Sequence, residues 1–84
     1  MNKKQRQTLD RIFDKPERSD ILWNNIKSLF KALDADISEG RGSRVRVALK
    51  GVRAVFHRPH PQRVTIKSTV RSVRRFLLET GVKQ

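Results

Sequence analysis

The sequence predicts an α+β domain: a three-stranded antiparallel sheet with helices packed on one face, in the order α-α-β-β-β-α. Three observations carry this. Residues 44–58 alternate polar and apolar on both sides of Lys50-Gly51, the pattern of a β-hairpin. Two segments before the hairpin and one after it repeat apolar residues at helical spacing. The chain has 84 residues, 36% of them hydrophobic, which suits one thin two-layer core and leaves nothing for a second domain. Residues 1–84 therefore read as a single domain, with residues 1–20 as an N-terminal helical extension.

Each element has its own signal. Leu9, Ile12 and Phe13 form one apolar stripe and predict a helix over 2–13. Pro16 ends it, because proline biases Lys15 away from the helical region. Residues 14–20 are a polar connection. Ile26, Leu29, Phe30 and Leu33 predict a second helix from about 24 to 34, reached through a short extended stretch at Ile21-Leu22-Trp23. Asp20 or Asn24 is its expected cap, and Trp23 is expected in the core. Residues 36–39 predict a first strand. Glu39-Gly40-Arg41-Gly42-Ser43 reads as a turn, too short for a P-loop and lacking its Lys-Ser/Thr ending. Pro59 and Pro61 place residues 59–63 in a loop. Val64-Thr65-Ile66 leads into a last helix, about 67–80, whose buried stripe is Val70, Val73, Phe76 and Leu77 and which Gly81 ends.

A two-residue turn at Lys50-Gly51 fixes the hairpin register. Leu49 then faces Val52, Val47 faces Ala54, and Val45 faces Phe56, all on one side. The other side pairs Arg44 with His57 and Arg46 with Val55, and also carries Ala48 and Arg53. A one-residue slip would turn every apolar side chain outward, so this assignment is strongly specified.

Charge points to the partner. Twenty basic residues against eight acidic ones give a net +12. Up to Ala35 there are 8 basic and 5 acidic residues; beyond it there are 12 and 3. The later part is therefore where a polyanion should bind. The expected contacts are Arg44, Arg46 and Arg53 on the open sheet face, with Arg41, Lys50 and Arg58 beside it. Arg71, Arg74 and Arg75 read mainly as a solvated helix face. The absence of cysteine excludes disulfides, thiol nucleophiles and Cys-based zinc sites. With two histidines and no tight carboxylate cluster, neither a metal nor another cofactor is expected. No apolar run reaches the length of a membrane span and the N-terminus has no apolar signal region, so the expected setting is the cytoplasm, away from membranes.

His57 is the candidate base. In RNA, a base can take the proton of a 2′-hydroxyl while its oxygen attacks the adjacent phosphorus, and arginines stabilise the extra charge of the transition state. Only RNA carries that hydroxyl, so this chemistry selects RNA over DNA. His60, in Arg58-Pro59-His60-Pro61, is the alternative base, an assisting acid or a substrate contact.

These residues resemble the HicA family of toxin mRNA interferases. The likeness lies in Gly40-Arg41-Gly42-Ser43-Arg44, in the hairpin, in Phe56-His57-Arg58-Pro59-His60-Pro61 and in the ending Ser72 to Val82, and it spans roughly residues 22–82. The resemblance implies a fold similar to double-stranded-RNA-binding domains. It implies a stress-response endoribonuclease that cleaves mRNA without a metal, halts translation, and is neutralised by a HicB-family antitoxin in a type II toxin–antitoxin pair. A +12 protein should in any case attract an acidic partner. One departure matters: the family places its catalytic histidine directly after Gly-Ser, where this chain has Arg44. Either His57, across from Arg44, supplies the base from the neighbouring strand, or catalysis is weakened, or the chain binds RNA without cutting it. His60-Pro61 matches the family's dipeptide and Phe56-His57 its aromatic neighbour, which leaves both histidines open.

Overall fold

The computed structural model describes residues 1–59 and 63–82. Helices α1 (Lys3–Ile12) and α2 (Trp23–Ala32) precede strands β1 (Asp36–Glu39), β2 (Arg44–Leu49) and β3 (Val52–His57), and helix α3 (Lys67–Glu79) follows. The strands form an antiparallel meander in the order β1-β2-β3. This is the expected α+β architecture, with each helix within two residues of its expected bounds.

The hairpin register is the expected one. Arg44 pairs with His57, Val45 with Phe56, Arg46 with Val55, Val47 with Ala54, Ala48 with Arg53 and Leu49 with Val52. Lys50 (φ 50°) and Gly51 (φ 80°) both adopt positive φ. That combination matches the right-handed twist of the strands in a two-residue hairpin. Glycine takes it freely. For Lys50 the left-handed conformation costs on the order of 1 kcal/mol, offset by the cross-strand pairs that it aligns.

The core lies between the sheet and the helices. Val45, Val47, Leu49 and Phe56 are buried on the sheet's inner face. Helix α2 rests against β1 and α3 against β3, while α1 lies across α2 and α3. An aromatic cluster joins the layers. Phe56 stacks on Phe30 with centroids 5.8 Å apart, and Phe76 meets both edge-on at 5.8 Å. Trp23 closes the group 6.4 Å from Phe56, buried as expected. Such pairs contribute roughly 0.5–1.5 kcal/mol each beyond their buried area.

Two helix starts use different solutions. Asn2 and Gln5 form a reciprocal capping box on α1, each side chain bonding the other's backbone N–H at 2.8 Å. Helix α2 has no side-chain cap, so neither Asp20 nor Asn24 plays the expected part. Its lead-in is instead a scrap of sheet: Leu22 bridges Val64, the Trp23 N–H donates to the Arg63 carbonyl at 3.0 Å, and the Thr65 N–H donates to Ile21 at 2.8 Å. A ladder bond thus satisfies one of the first N–H groups that have no partner within the helix, and the helix starts at Trp23 rather than at about residue 24. The Asp20 carboxylate is occupied by Arg18, which bonds it at 2.8 Å and holds its pKa down at about 2.

Among the arginines of α3, Arg74 differs from expectation. Arg71 is exposed as expected and Arg74 is not, but both pair with Glu17, at 2.8 and 3.2 Å. Arg74 also donates to the carbonyls of Ile12 and Asp14, and only 11% of its side chain is exposed. Together they fasten the α1–α2 connection to α3. Sequence spacing gives no sign of this, because Glu17 and Arg74 are brought together only by the fold. Arg75 remains exposed. No helix among the described residues is long and apolar enough to cross a membrane.

Two outcomes follow from these contacts. Lys50→Asn, which tolerates positive φ and suits this turn type, should raise stability by up to about 1 kcal/mol in denaturant melts. Hydrogen bonds from Arg71 and then Arg74 hold the Glu17 pKa below its ordinary 4.5. Their contribution is therefore full above about that pH and is lost as pH falls through the lower folded value. Glu17→Gln should be less stable than the parent at pH 7, with the gap closing on acidification below about pH 4.5 in pH-dependent melts.

Candidate functional site

The outer sheet face is uncovered by helices and is organised in rows. The register places Gly40, Arg44 and His57 towards one end: Arg44 and His57 pair directly, and a Cβ on Gly40 would touch Arg44 Cβ at 3.5 Å. The next row is Ser38, Arg46 and Val55, and the third is Asp36, Ala48 and Arg53. Alternation explains the arrangement. Phe56 turns into the aromatic cluster, so His57 must turn out. Side chains directly opposite one another start about 5 Å apart, which puts Arg44 at the shoulder of His57.

Ser43, expected only as part of the turn, joins the site. Its hydroxyl lies 3.2 Å from His57 Nδ1. When Nδ1 is unprotonated the hydroxyl donates to it; when Nδ1 carries the proton, the ring donates to Oγ. Either way one ring nitrogen is engaged and Nε2 remains for chemistry, the division of labour that an orienting partner gives a catalytic histidine. The signal was present in the register, since extending the Arg44–His57 pairing by one step sets Ser43 against Arg58.

Arg58 holds Ser43 in place. Its backbone N–H donates to the Ser43 carbonyl at 2.9 Å. Its guanidinium donates to the Gly42 carbonyl at 3.2 Å and pairs with Glu39 at 3.0 Å. Glu39 also pairs with Lys27 of α2 at 3.5 Å. The turn at 40–43, reversed through Gly42 (φ 64°), is thereby strapped to β3 and to the helix layer.

The expected contact residues separate accordingly. Arg44, Arg46 and Arg53 share the outer face with His57, and none of the three has an ion pair among the described residues. Arg41 is exposed in the adjoining turn. Lys50 sits at the far end of the hairpin, roughly 20 Å along the strand from His57. Arg58 is committed to the turn. His60, the alternative histidine, lies outside the described residues, as does Pro61. Among the described residues no three His, Cys, Asp or Glu side chains gather to hold a metal ion.

The chemistry available is that of an oriented imidazole beside free guanidiniums on an open, basic surface. Such a surface can hold a phosphodiester and move a proton next to it. No family model, no curated protein and no solved structure matches the chain.

Ser43→Ala should leave the fold intact but release the His57 ring. The expected readout is a change in imidazole nitrogen shifts by NMR, reporting altered tautomer populations. Unchanged shifts would show that the hydroxyl does not orient the ring.

Proposed function

We propose that the chain is a metal-independent endoribonuclease that cleaves mRNA and arrests translation, of the HicA toxin type, held in check by an acidic HicB-family antitoxin. The observation that carries this reading is the Ser43–His57 contact with Arg44 directly across from it. Position 44 is where the family pattern has its histidine. Here the imidazole reaches the same patch of surface from the opposite strand, and the arginine takes the phosphate-binding part. The sheet with helices on one face and the four exposed cationic or titratable groups support the same reading, including its likeness to double-stranded-RNA-binding domains.

The steps follow from the groups. Arg44 and Arg46 bind the scissile phosphate. Nε2 of His57 accepts the 2′-hydroxyl proton, and the resulting imidazolium is steadied by Ser43 Oγ accepting from Nδ1–H. The 2′-oxygen bonds to phosphorus while the P–O5′ bond breaks, and the arginines stabilise the charge on the phosphoryl oxygens. The departing 5′-oxygen takes a proton from water or from His60. The products are a 2′,3′-cyclic phosphate and a 5′-hydroxyl end. An acidic antitoxin seated on this face would both neutralise the arginines and exclude RNA.

A second reading is an RNA-binding module without catalysis, favoured by the absence of histidine directly after Gly42-Ser43. The two separate cleanly. With a long single-stranded mRNA in EDTA, the nuclease reading expects cyclic-phosphate ends and growth arrest on expression. Both should be lost in His57→Ala, by at least about 100-fold in rate for a general base, while circular dichroism stays unchanged. Full activity of that variant removes His57 as base, and loss in His60→Ala alone would transfer the part to His60. Intact RNA with salt-dependent binding supports the binding module.

A further inference from the structure

The proposed reaction leaves part of the outer face unused. Beyond the Arg44–His57 row the surface dips into a concavity of about 510 Å³, within the size range of small-ligand sites. Ala48, half-buried at the sheet's centre, and Val55, 53% exposed, give it an apolar floor. Arg46 and Arg53 line it from β2 and β3, and Asp36 and Ser38 from β1. Asp36 is exposed and has no ion pair among the described residues, although it shares its face with Arg44, Arg46 and Arg53.

This lining suits a flat ring attached to a phosphate. Small apolar side chains accept the face of a base, guanidinium planes stack on it, and the arginine charges attract the linked phosphate. An ionised carboxylate only accepts hydrogen bonds, so the ring edge at Asp36 has to donate. Guanine offers two adjacent donors, N1–H and its 2-amino group, to the two oxygens of one carboxylate. Adenine and cytosine offer a single amino group there, and uracil a single imide N–H. The row of Asp36 and Ala48 lies about 13 Å along the strands from that of Arg44 and His57, a reach of a couple of extended nucleotides.

We infer that this concavity is a guanine-selecting subsite: Ala48 and Val55 carry the base, Arg53 flanks it, Arg46 stands between it and the scissile phosphate, and Asp36 reads its donor edge. The inference rests on RNA being the substrate and specifies a base about two nucleotides from the cleaved bond.

The test is titration of isotope-labelled protein, followed by NMR, with each of the four 5′-nucleoside monophosphates. It is run on the parent chain and on Asp36→Asn, with single-stranded RNA binding measured alongside. GMP should shift the Asp36, Ala48 and Val55 amides and bind at least about fivefold more tightly than the other three, as a bidentate contact requires. Asp36→Asn should weaken GMP and tighten AMP, CMP and UMP, because it removes a reader and a negative charge together. Equal tightening of all four would mean that Asp36 only repels phosphate, and shifts confined to Arg44 and His57 would leave the concavity without a base. Either result overturns the subsite and leaves the RNA reading standing. Failure of both mononucleotides and RNA to bind overturns the RNA reading itself.

Discussion

The placement of Phe56 is the constraint on which the rest of the molecule depends. Its ring is the meeting point of α2, α3 and the sheet, in contact with Phe30, Phe76 and Trp23. Because neighbouring residues on a strand face opposite ways, burying Phe56 leaves His57 nowhere to go but outward. The same condition, carried across the Lys50-Gly51 turn, aligns Val45 with Phe56 and Arg44 with His57. The aromatic core and the basic face are therefore two sides of one register. Neither can be moved by a residue without dismantling the other.

Charge on this chain falls into two populations with different work. Glu17, Asp14, Asp20 and Glu39 engage Arg71, Arg74, Arg18, Arg58 and Lys27, and these pairs tie connections and turns to the helices and strands. Exposed pairs of this kind contribute little individually, and their arrangement matters more for where the chain is held than for total stability. Arg44, Arg46 and Arg53 are the remainder on the open face. A net +12 taken from composition becomes a local surplus because four of the eight acidic residues are paired with other cations and, of the rest, only Asp36 stands on the open face.

How much of this was legible in the sequence follows the range of each interaction. The hairpin, its turn and both of its faces could be read because alternation and a two-residue turn are local and mutually consistent. The core stripe of α3 and the burial of Trp23 were equally readable. The start of α2 was readable to within a residue, but not how it is satisfied: in place of a side-chain cap, its lead-in is completed by residues 63–65, some forty positions away. Nor were the bonds of Arg74 to the α1–α2 connection readable. Ser43 stood one step beyond the pairing that the sequence gives for Arg44, but the reach of its hydroxyl to a diagonal neighbour depends on the closure of the turn by Arg58. The concavity at Ala48 was present as a short side chain between arginines, and its lining by Asp36 and Ser38 needed the pairing of β1 with β2.

The seating of α1 has a practical side. This helix contacts α2 and α3 but no strand, so the first residues emerge on the helix side of the molecule, away from the outer sheet face. A chain anchored to a bead, a sensor chip or a fusion partner through that end would hold its basic surface towards the solution. A long polymer could then lie across the strands without meeting the support.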